Sequence, residues 1–134
     1  MEERTYGGKR GHEGTDLMPP TNQRGFYPVF SATAGTVEHM GWLQKGGWRI
    51  GIRSEQGGYF YYAHLSEYAP RMEEGKTVEA GEMLGYMGDS GYGEEGTVGQ
   101  FAVHLHFGIY IQTADGREVS VDPYWILKGL EGEP

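Results

Sequence analysis

Glycine interrupts this chain so often that long regular elements are not expected. The sequence holds 24 glycines among 134 residues, more than twice the average usage of about 7%. No Gly-X-Y period runs through them, so a collagen-like triple helix is excluded. The glycines fall instead between short apolar runs, which is typical of an all-β domain with many tight turns. We therefore expect a mainly β fold.

The apolar runs themselves predict short strands. The segment 48–54 has apolar residues at positions 48, 50 and 52, the two-residue period of a half-buried strand. The turn sequences EQGG at 55–58 and ADG at 114–116 each predict a hairpin. The predicted strands are 29–32, 36–43, 48–54, 59–63, 83–87, 101–112 and 118–121. Residues 1–27 are predicted to be irregular loop, and 123–130 to be a short helix with Asp122 as its N-cap.

Length and charge limit the classes of protein. A chain of 134 residues fits one domain over 1–134, since domains typically have about 100–150 residues. The net charge is −8, and no basic cluster is longer than Lys9-Arg10. This argues against nucleic acid as a partner and against contact of this domain with a membrane. There is no cysteine and no long apolar stretch, and residues 1–4 do not have the pattern of an export signal. We expect a monomer.

Histidine is concentrated where chemistry can be built. Four of the five histidines lie in short polar or aromatic segments. His12 precedes Asp16 by four residues, His64 follows a run of tyrosines, and one leucine separates His104 from His106. A catalytic zinc site needs about three His or carboxylate ligands and one open position for water. It also needs groups that handle protons, and the sequence has enough residues for both sets.

The segment 101–112 alternates so regularly that it predicts which way each side chain faces. One apolar row is expected to face the core: Phe101, Val103, Leu105, Phe107, Ile109 and Ile111. His104 and His106 then face outward together. Their neighbours on that face are small, Ala102 and Gly108, which leaves room for a ligand.

The segment around His12 admits two interpretations. On a helix His12 and Asp16 would share one face, but Gly11 and Gly14 make a helix improbable. A loop flanked by glycine can still bring both side chains to one metal. The same residues nearly match the helical zincin pattern H-E-x-x-H, in which the glutamate is the general base. Without a surrounding helix, we expect Glu13 to be exposed and incidental.

Other polar and aromatic residues have ordinary explanations. His39 lies in the predicted strand 36–43, and we expect it to be a strand residue without a role in the site. Tyr61, Tyr92 and Tyr110 fit packing and the lining of a substrate groove equally well.

Three segments in order resemble the lysostaphin-like, or LytM-type, zinc peptidases of bacterial cell walls. They are RGHEGTD at 10–16, YAHLS at 62–66 and HLHFGI at 104–109. They match the family's H-x-G-x-D, Y-x-H-L and H-L-H-F patterns. The segment 74–85 is similar to the family's glycine-spaced middle. The resemblance implies a mainly β fold of the duplicated-hybrid-motif or barrel-sandwich type, a twisted antiparallel sheet with a loop-walled groove.

The resemblance also implies roles for single residues. His12, Asp16 and His106 would bind Zn²⁺, and His64 and His104 would be catalytic. Tyr6 would be the tyrosine that helps to polarise the scissile carbonyl. The implied function is a zinc-dependent endopeptidase acting on peptidoglycan peptides, at a cross-bridge or a stem, outside the cytoplasm: secreted, in the cell wall or in the periplasm.

Two alternatives remain. The chain is either such a peptidase or a non-catalytic domain on the same fold that binds the cell wall or another protein. A biotinyl, lipoyl or phosphohistidine carrier also has glycine-spaced segments like 74–85. Carriers, however, have no need of His12 with Asp16, and no lysine lies in a Met-Lys-Met turn here.

Overall fold

The computed structural model describes residues 14–121, and within that range the chain forms nine β-strands and no helix. The strands are β1 (Thr15–Leu17), β2 (Pro28–Phe30), β3 (Gly35–Leu43), β4 (Gly47–Ser54), β5 (Tyr59–Tyr68), β6 (Thr77–Val78), β7 (Met83–Met87), β8 (Leu105–Gln112) and β9 (Glu118–Val121). The described part contains no helix able to cross a membrane. The predicted helix at 123–130 lies outside the described residues, as do Tyr6, His12 and Glu13.

All nine strands belong to one antiparallel sheet, which branches at the middle of β5. The main order is β1-β8-β5-β4-β3-β6, with β9 on β8 and with β7 between β5 and β2. The first half of β5 pairs with β8, ending at Ala63 opposite His106. Its second half pairs with β7, beginning at Leu65 opposite Met87. His64 therefore occupies the branch point, where the chain leaves one neighbour for the other.

Alternation along the long strands forms the core on one face of the sheet. Ile50 and Ile52 of β4 are fully buried, and so is Tyr62 of β5, whose hydroxyl accepts a hydrogen bond from the Ala32 N–H at 2.9 Å. Each large apolar side chain buried in this way stabilises the fold by about 1.5–3 kcal/mol. The opposite face remains available for a groove.

Two glycines allow close approaches that shape this groove. Gly51 lies under the ring of Tyr59, and a Cβ at position 51 would overlap that ring. Gly14 has a φ of 121°, and a Cβ there would come within 2.6 Å of the Phe107 carbonyl oxygen and 2.9 Å of the His106 ring. The first glycine keeps the groove floor flat, and the second lets β1 lie tightly against β8.

The structure confirms the antiparallel β fold and corrects three predicted elements. Part of the predicted loop 1–27 is strand, because Thr15–Leu17 pairs with Leu105–Phe107 across the sheet. The strand predicted at 59–63 continues to Tyr68, since a bulge carries it past His64 to β7. The strand predicted at 101–112 begins only at Leu105. In each case the deciding contacts are with residues far away in sequence.

Candidate metal and catalytic site

Strand pairing brings Asp16 and His106 together at the edge of the sheet. Asp16 on β1 is the register partner of His106 on β8, and side chains of directly paired residues lie on one face. The Nδ1 of His106 lies 2.8 Å from Oδ1 of Asp16. Two of the predicted metal ligands are therefore in contact, through atoms that are both suitable donors to a metal ion.

Asp16 lies in an electrostatic setting dominated by imidazoles. Burial by itself would raise the pKa of the Asp16 carboxyl. The hydrogen bond from His106 and the nearby His104 and His64 outweigh that effect, so its pKa is lowered. Within residues 14–121, the ion-pair partners of Asp16 are His106 and, at 3.8 Å, Nε2 of His104. No lysine or arginine of the described chain neutralises this carboxylate.

His64 is held rigidly at the branch of the sheet. It is 7% exposed and has a φ of 67°, a conformation that residues other than glycine rarely adopt. Its backbone N–H donates to the Gly46 carbonyl at 2.8 Å, and its ring Nδ1–H donates to the Ser90 carbonyl at 2.7 Å. Because a carbonyl can only accept, Nδ1 carries the proton and Nε2 is the acceptor.

Burial keeps the His64 ring uncharged at neutral pH. Removal from water lowers its pKa to about 4, against an upward contribution from the hydrogen bond to Ser90. The imidazole is therefore neutral over most of the physiological range, with the lone pair of Nε2 free to accept a proton.

The ring of His104 is also oriented by a hydrogen bond from Nδ1–H to a backbone carbonyl. Its Nδ1–H donates to the Ala102 carbonyl at 2.9 Å, and its backbone N–H donates to the Gly88 carbonyl at 3.1 Å. Its Nε2 is the ring atom on the side of Asp16. His104 and His106 thus present different nitrogens to the site, although they are only two residues apart.

The three imidazoles form one cluster. The ring centroid of His64 lies 4.8 Å from that of His104 and 6.2 Å from that of His106. Phe101 packs edge-on against both His64, at 4.6 Å, and His104, at 5.1 Å. The alternation of apolar residues in 101–112 did not predict this contact of Phe101 with the imidazoles.

The apolar row predicted for 101–112 is correct in its middle and wrong at both ends. Val103, Leu105, Phe107 and Ile109 are buried in the core. Phe101 turns toward the histidines instead, because the chain is not yet in a strand there and the Val103 N–H bonds to Asn22. Ile111 is 44% exposed, since β8 extends past the core at that end.

Sequence reasoning also missed Ser90. This residue is fully buried, and its Oγ accepts a hydrogen bond from the Trp48 N–H and donates one to the Leu65 carbonyl. It ties the loop after β7 to β4 and β5 and so fixes the carbonyl that orients His64. The only signal was a small polar residue before a glycine, which is common in loops.

Two imidazoles of the cluster, those of His64 and His106, line a cavity of about 530 Å³ on the groove face. Tyr61, Tyr92 and Tyr110 all line this cavity. From the sequence, these three residues fitted packing and groove lining equally well. Its other lining residues come from β3 to β9: Leu43, Lys45, Gly46, Arg49, Tyr59, Ala63, His64, His106 and Glu118. A cavity of this size is large enough for several residues of an extended peptide.

The predicted site is incomplete in the described part of the chain. His12 and Tyr6 lie outside residues 14–121, and within that range no group of three His, Cys, Asp or Glu residues could hold a metal ion. His39 lies elsewhere, on β3, with its Nδ1 3.1 Å from the Tyr59 hydroxyl and its side chain half exposed.

The antiparallel sheet, with a carboxylate and three imidazoles clustered beside its groove, has the lysostaphin-like peptidase fold. The catalytic domain of lysostaphin from Staphylococcus simulans superposes with a TM-score of 0.65 at 30% identity, over 87% of this chain and 79% of that one. The chain belongs to peptidase family M23, whose model matches residues 10–123.

Named relatives agree with this assignment. An L-Ala–D-Glu endopeptidase of Bacillus subtilis is 46% identical over 129 residues, 96% of this chain but 38% of that protein. Lysostaphin of Staphylococcus simulans is 34% identical over 103 residues, 75% of this chain and 19% of lysostaphin. The chain therefore spans well under half the length of these relatives.

A solved structure is also similar over nearly the whole chain. It is that of a proposed glycyl-glycine endopeptidase LytM from Ruminococcus gnavus. The TM-score is 0.87 at 60% identity, over 96% of this chain and 51% of that one.

Proposed function

We propose that this chain is a zinc-dependent endopeptidase that hydrolyses peptide bonds of bacterial peptidoglycan, in a cross-bridge or a stem peptide. The observation that carries the proposal is the contact of Asp16 with Nδ1 of His106, beside the imidazoles of His64 and His104. Membership of family M23 and the relatives named as endopeptidases support it. The same relatives support action outside the cytoplasm, and we propose that the domain acts as a monomer.

The donor set fits zinc. Asp16 and His106 offer one carboxylate oxygen and one imidazole nitrogen, the ligand types that zinc prefers in catalytic sites. No lysine or arginine within residues 14–121 lies at ion-pair distance from this carboxylate. We propose that His12 completes a set of three with Asp16 and His106. Zinc bound there would lower the pKa of a coordinated water toward about 7 and polarise a substrate carbonyl.

His64 and His104 are suited to proton transfer. Each donates its Nδ1–H to a backbone carbonyl, which fixes the ring and leaves Nε2 as an acceptor. One of them can take a proton from the attacking water, and the other can hold or return a proton at the leaving amine. Acid–base assistance of this kind contributes about 10²–10⁴-fold to a rate. We propose that Tyr6 contacts the scissile carbonyl.

The test is hydrolysis of defined peptides by the purified protein. Two substrates follow from the names of the relatives: a stem peptide with an L-Ala–D-Glu bond and a glycine oligomer. Mass spectrometry would identify the products before chelation, after chelation, and after zinc is restored. We expect cleavage of at least one peptide that is lost on chelation and recovered with zinc. Cleavage unaffected by chelation would contradict zinc dependence, and binding to peptidoglycan without cleavage would favour the non-catalytic alternative.

A matched pair of variants separates catalysis from folding. We expect His64→Ala to lower turnover by about 10²–10⁴-fold, because it removes a proton-transfer group. His39→Ala removes an imidazole of the same chemistry from a half-exposed position outside the cavity. It should keep nearly full activity. Equal losses in both variants would show that the effect is not specific to the cluster.

A further inference from the structure

The groove carries a local charge opposite to that of the whole chain. The sequence has a net charge of −8, yet the lysine, arginine and carboxylate side chains that line the cavity are Lys45, Arg49 and Glu118. Glu118 is already paired, since one of its oxygens lies 2.8 Å from the Arg53 guanidinium. The cavity is left with two positive charges that no carboxylate of residues 14–121 approaches within ion-pair distance.

Arg49 differs in this respect from three of the other four arginines of the described chain, and the fourth, Arg71, does not line the cavity. Arg24 pairs with Asp89, Arg53 with Glu38 and Glu118, and Arg117 with Asp115. Arg49 instead donates one hydrogen bond from Nη1 to the Met40 carbonyl. That contact orients the guanidinium without neutralising it, and most of its five N–H donors remain for a ligand.

The backbone of Arg49 is also anchored. Its carbonyl accepts a hydrogen bond from the Tyr68 hydroxyl at 2.6 Å, and that hydroxyl accepts one from the Gly41 N–H at 2.8 Å. Because the backbone of Arg49 and one of its N–H groups are already held, the residue loses less conformational entropy when it binds a ligand, which favours affinity.

Strand register places Arg49 close to the proposed reaction site. It lies between the pairs Trp48–Leu65 and Ile50–Tyr62, and so beside Ala63 of β5. Ala63 in turn pairs with His106 of β8. Arg49 is therefore two strand spacings from His106, roughly 10 Å between backbones. An arginine side chain at that separation reaches a residue that flanks the scissile bond.

We propose that Arg49, assisted by Lys45, binds a free carboxylate of the substrate peptide, so that the groove selects acidic peptides over uncharged ones. This inference rests on the proposed peptidase function and adds its substrate class. Guanidinium and carboxylate form paired, charge-assisted hydrogen bonds in a fixed geometry. An uncharged glycine bridge offers no such partner, whereas a stem peptide linked through the side chain of D-glutamate exposes one carboxylate beside the bond.

The experiment compares two synthetic peptides that differ in one group. The first is L-Ala–γ-D-Glu–L-Lys with the glutamate α-carboxylate free, and the second has that carboxylate as a carboxamide. Pentaglycine is the uncharged bridge peptide. We expect kcat/KM of the wild-type protein for the free acid to exceed that for the amide by about 10- to 100-fold, the range of a charge-assisted hydrogen bond. Pentaglycine should be cut more slowly than the free acid.

Variants assign the preference to the side chain. Arg49→Gln should lower kcat/KM for the free acid by about 10- to 100-fold and for the amide by much less, so that the two values become similar. Arg49→Lys should keep part of the preference, because it keeps the charge but not the paired geometry. The control is Arg117→Gln, which makes the same charge change at an exposed turn outside the cavity. It should leave the preference intact.

The outcomes separate this inference from the proposed function. Equal cleavage of acid and amide, or a preference for pentaglycine, would overturn the charge selection while the peptidase function stands. A preference that survives Arg49→Gln would overturn the assignment to Arg49. Cleavage of none of the three peptides would contradict both proposals.

Discussion

Two carboxylates of the described chain, Asp16 and Glu38, lie beside histidines, and they differ in what surrounds them. Asp16 on β1 lies 2.8 Å from the His106 ring. Glu38 on β3, outside the cavity lining, lies 3.8 Å from the His39 ring. The Arg53 guanidinium holds Glu38 at 2.7 Å, whereas the partners of Asp16 at ion-pair distance in the described chain are imidazoles. The contact of a histidine with a carboxylate is therefore not by itself a site.

The difference lies in how charge is balanced. Arg53 lowers the pKa of Glu38, and its hydrogen bond is the largest contribution to that shift. At Asp16 burial raises the pKa of the carboxyl, and the hydrogen bond from His106 with the nearby imidazoles of His104 and His64 lowers it. A carboxylate that is half buried and not neutralised by a basic side chain is suited to bind a cation. This difference supports the proposed metal site at Asp16 and not at Glu38.

The largest expected effect comes from removing the two carboxylates one at a time. We expect Asp16→Asn to lose bound zinc and nearly all activity, because it removes a charged ligand from a set of three. Glu38→Gln makes the same chemical change beside His39 and should keep both. Metal analysis of each protein, purified without a histidine tag, is the measurement. Loss of zinc in Glu38→Gln would break the comparison.

The second effect is on stability in acid. The unfolded chain protonates His64 near its ordinary pKa of 6.5, whereas the folded chain does so only near pH 4. Between these values the unfolded state binds the extra proton, so folding free energy is lost as the pH falls from 6.5 to about 4. With about 1.36 kcal/mol per pKa unit, the loss is about 3 kcal/mol.

Thermal or urea unfolding of the metal-free protein from about pH 7.5 to about pH 4 checks this loss of stability, because that range spans both pKa values. His64→Gln should flatten the dependence on pH above about pH 4. His39→Ala should keep it, because the His39 ring is half exposed. An unchanged slope in His64→Gln would assign the acid sensitivity to other groups.

A smaller effect is expected at Ser90. Ser90→Ala removes a buried hydroxyl that bonds to the Trp48 N–H and the Leu65 carbonyl, and so leaves both groups without that partner. We expect a loss of about 1–3 kcal/mol in the free energy of unfolding. Activity should largely persist, because His64 is oriented by the backbone carbonyl of Ser90 and not by its hydroxyl. Thr97→Ala, which removes an exposed hydroxyl bond within the loop, should cost less than about 0.5 kcal/mol.

The parts of the fold that the sequence predicted are those with local periodicity. The segments 48–54 and 103–109 alternate cleanly, and the structure buries their alternating apolar residues, except that Trp48 is only partly buried. Thr15–Leu17 is only three residues long, and it becomes a strand because it pairs with β8 about 90 residues later. No local pattern carries that information.

The same distinction between local patterns and long-range contacts applies to the site. The outward facing of His104 and His106 was predictable from the apolar row beside them. The fixed ring of His64 was not, because it depends on Gly46 and Ser90, which come from separate loops. The position of Phe101 against the imidazoles was predicted wrongly, since alternation cannot show where a strand begins. The roles proposed for His12 and Tyr6 remain predictions.

The division of labour between His104 and His106 is the central claim, and one measurement tests it directly. Zinc content and turnover are compared in His104→Ala and His106→Ala. His106→Ala removes the nitrogen that faces Asp16, so zinc and turnover should fall together. His104→Ala removes a ring held by the Ala102 carbonyl, so the protein should keep close to one zinc while turnover falls about 10²–10⁴-fold. Equal loss of zinc in both variants would make His104 a ligand and contradict the account.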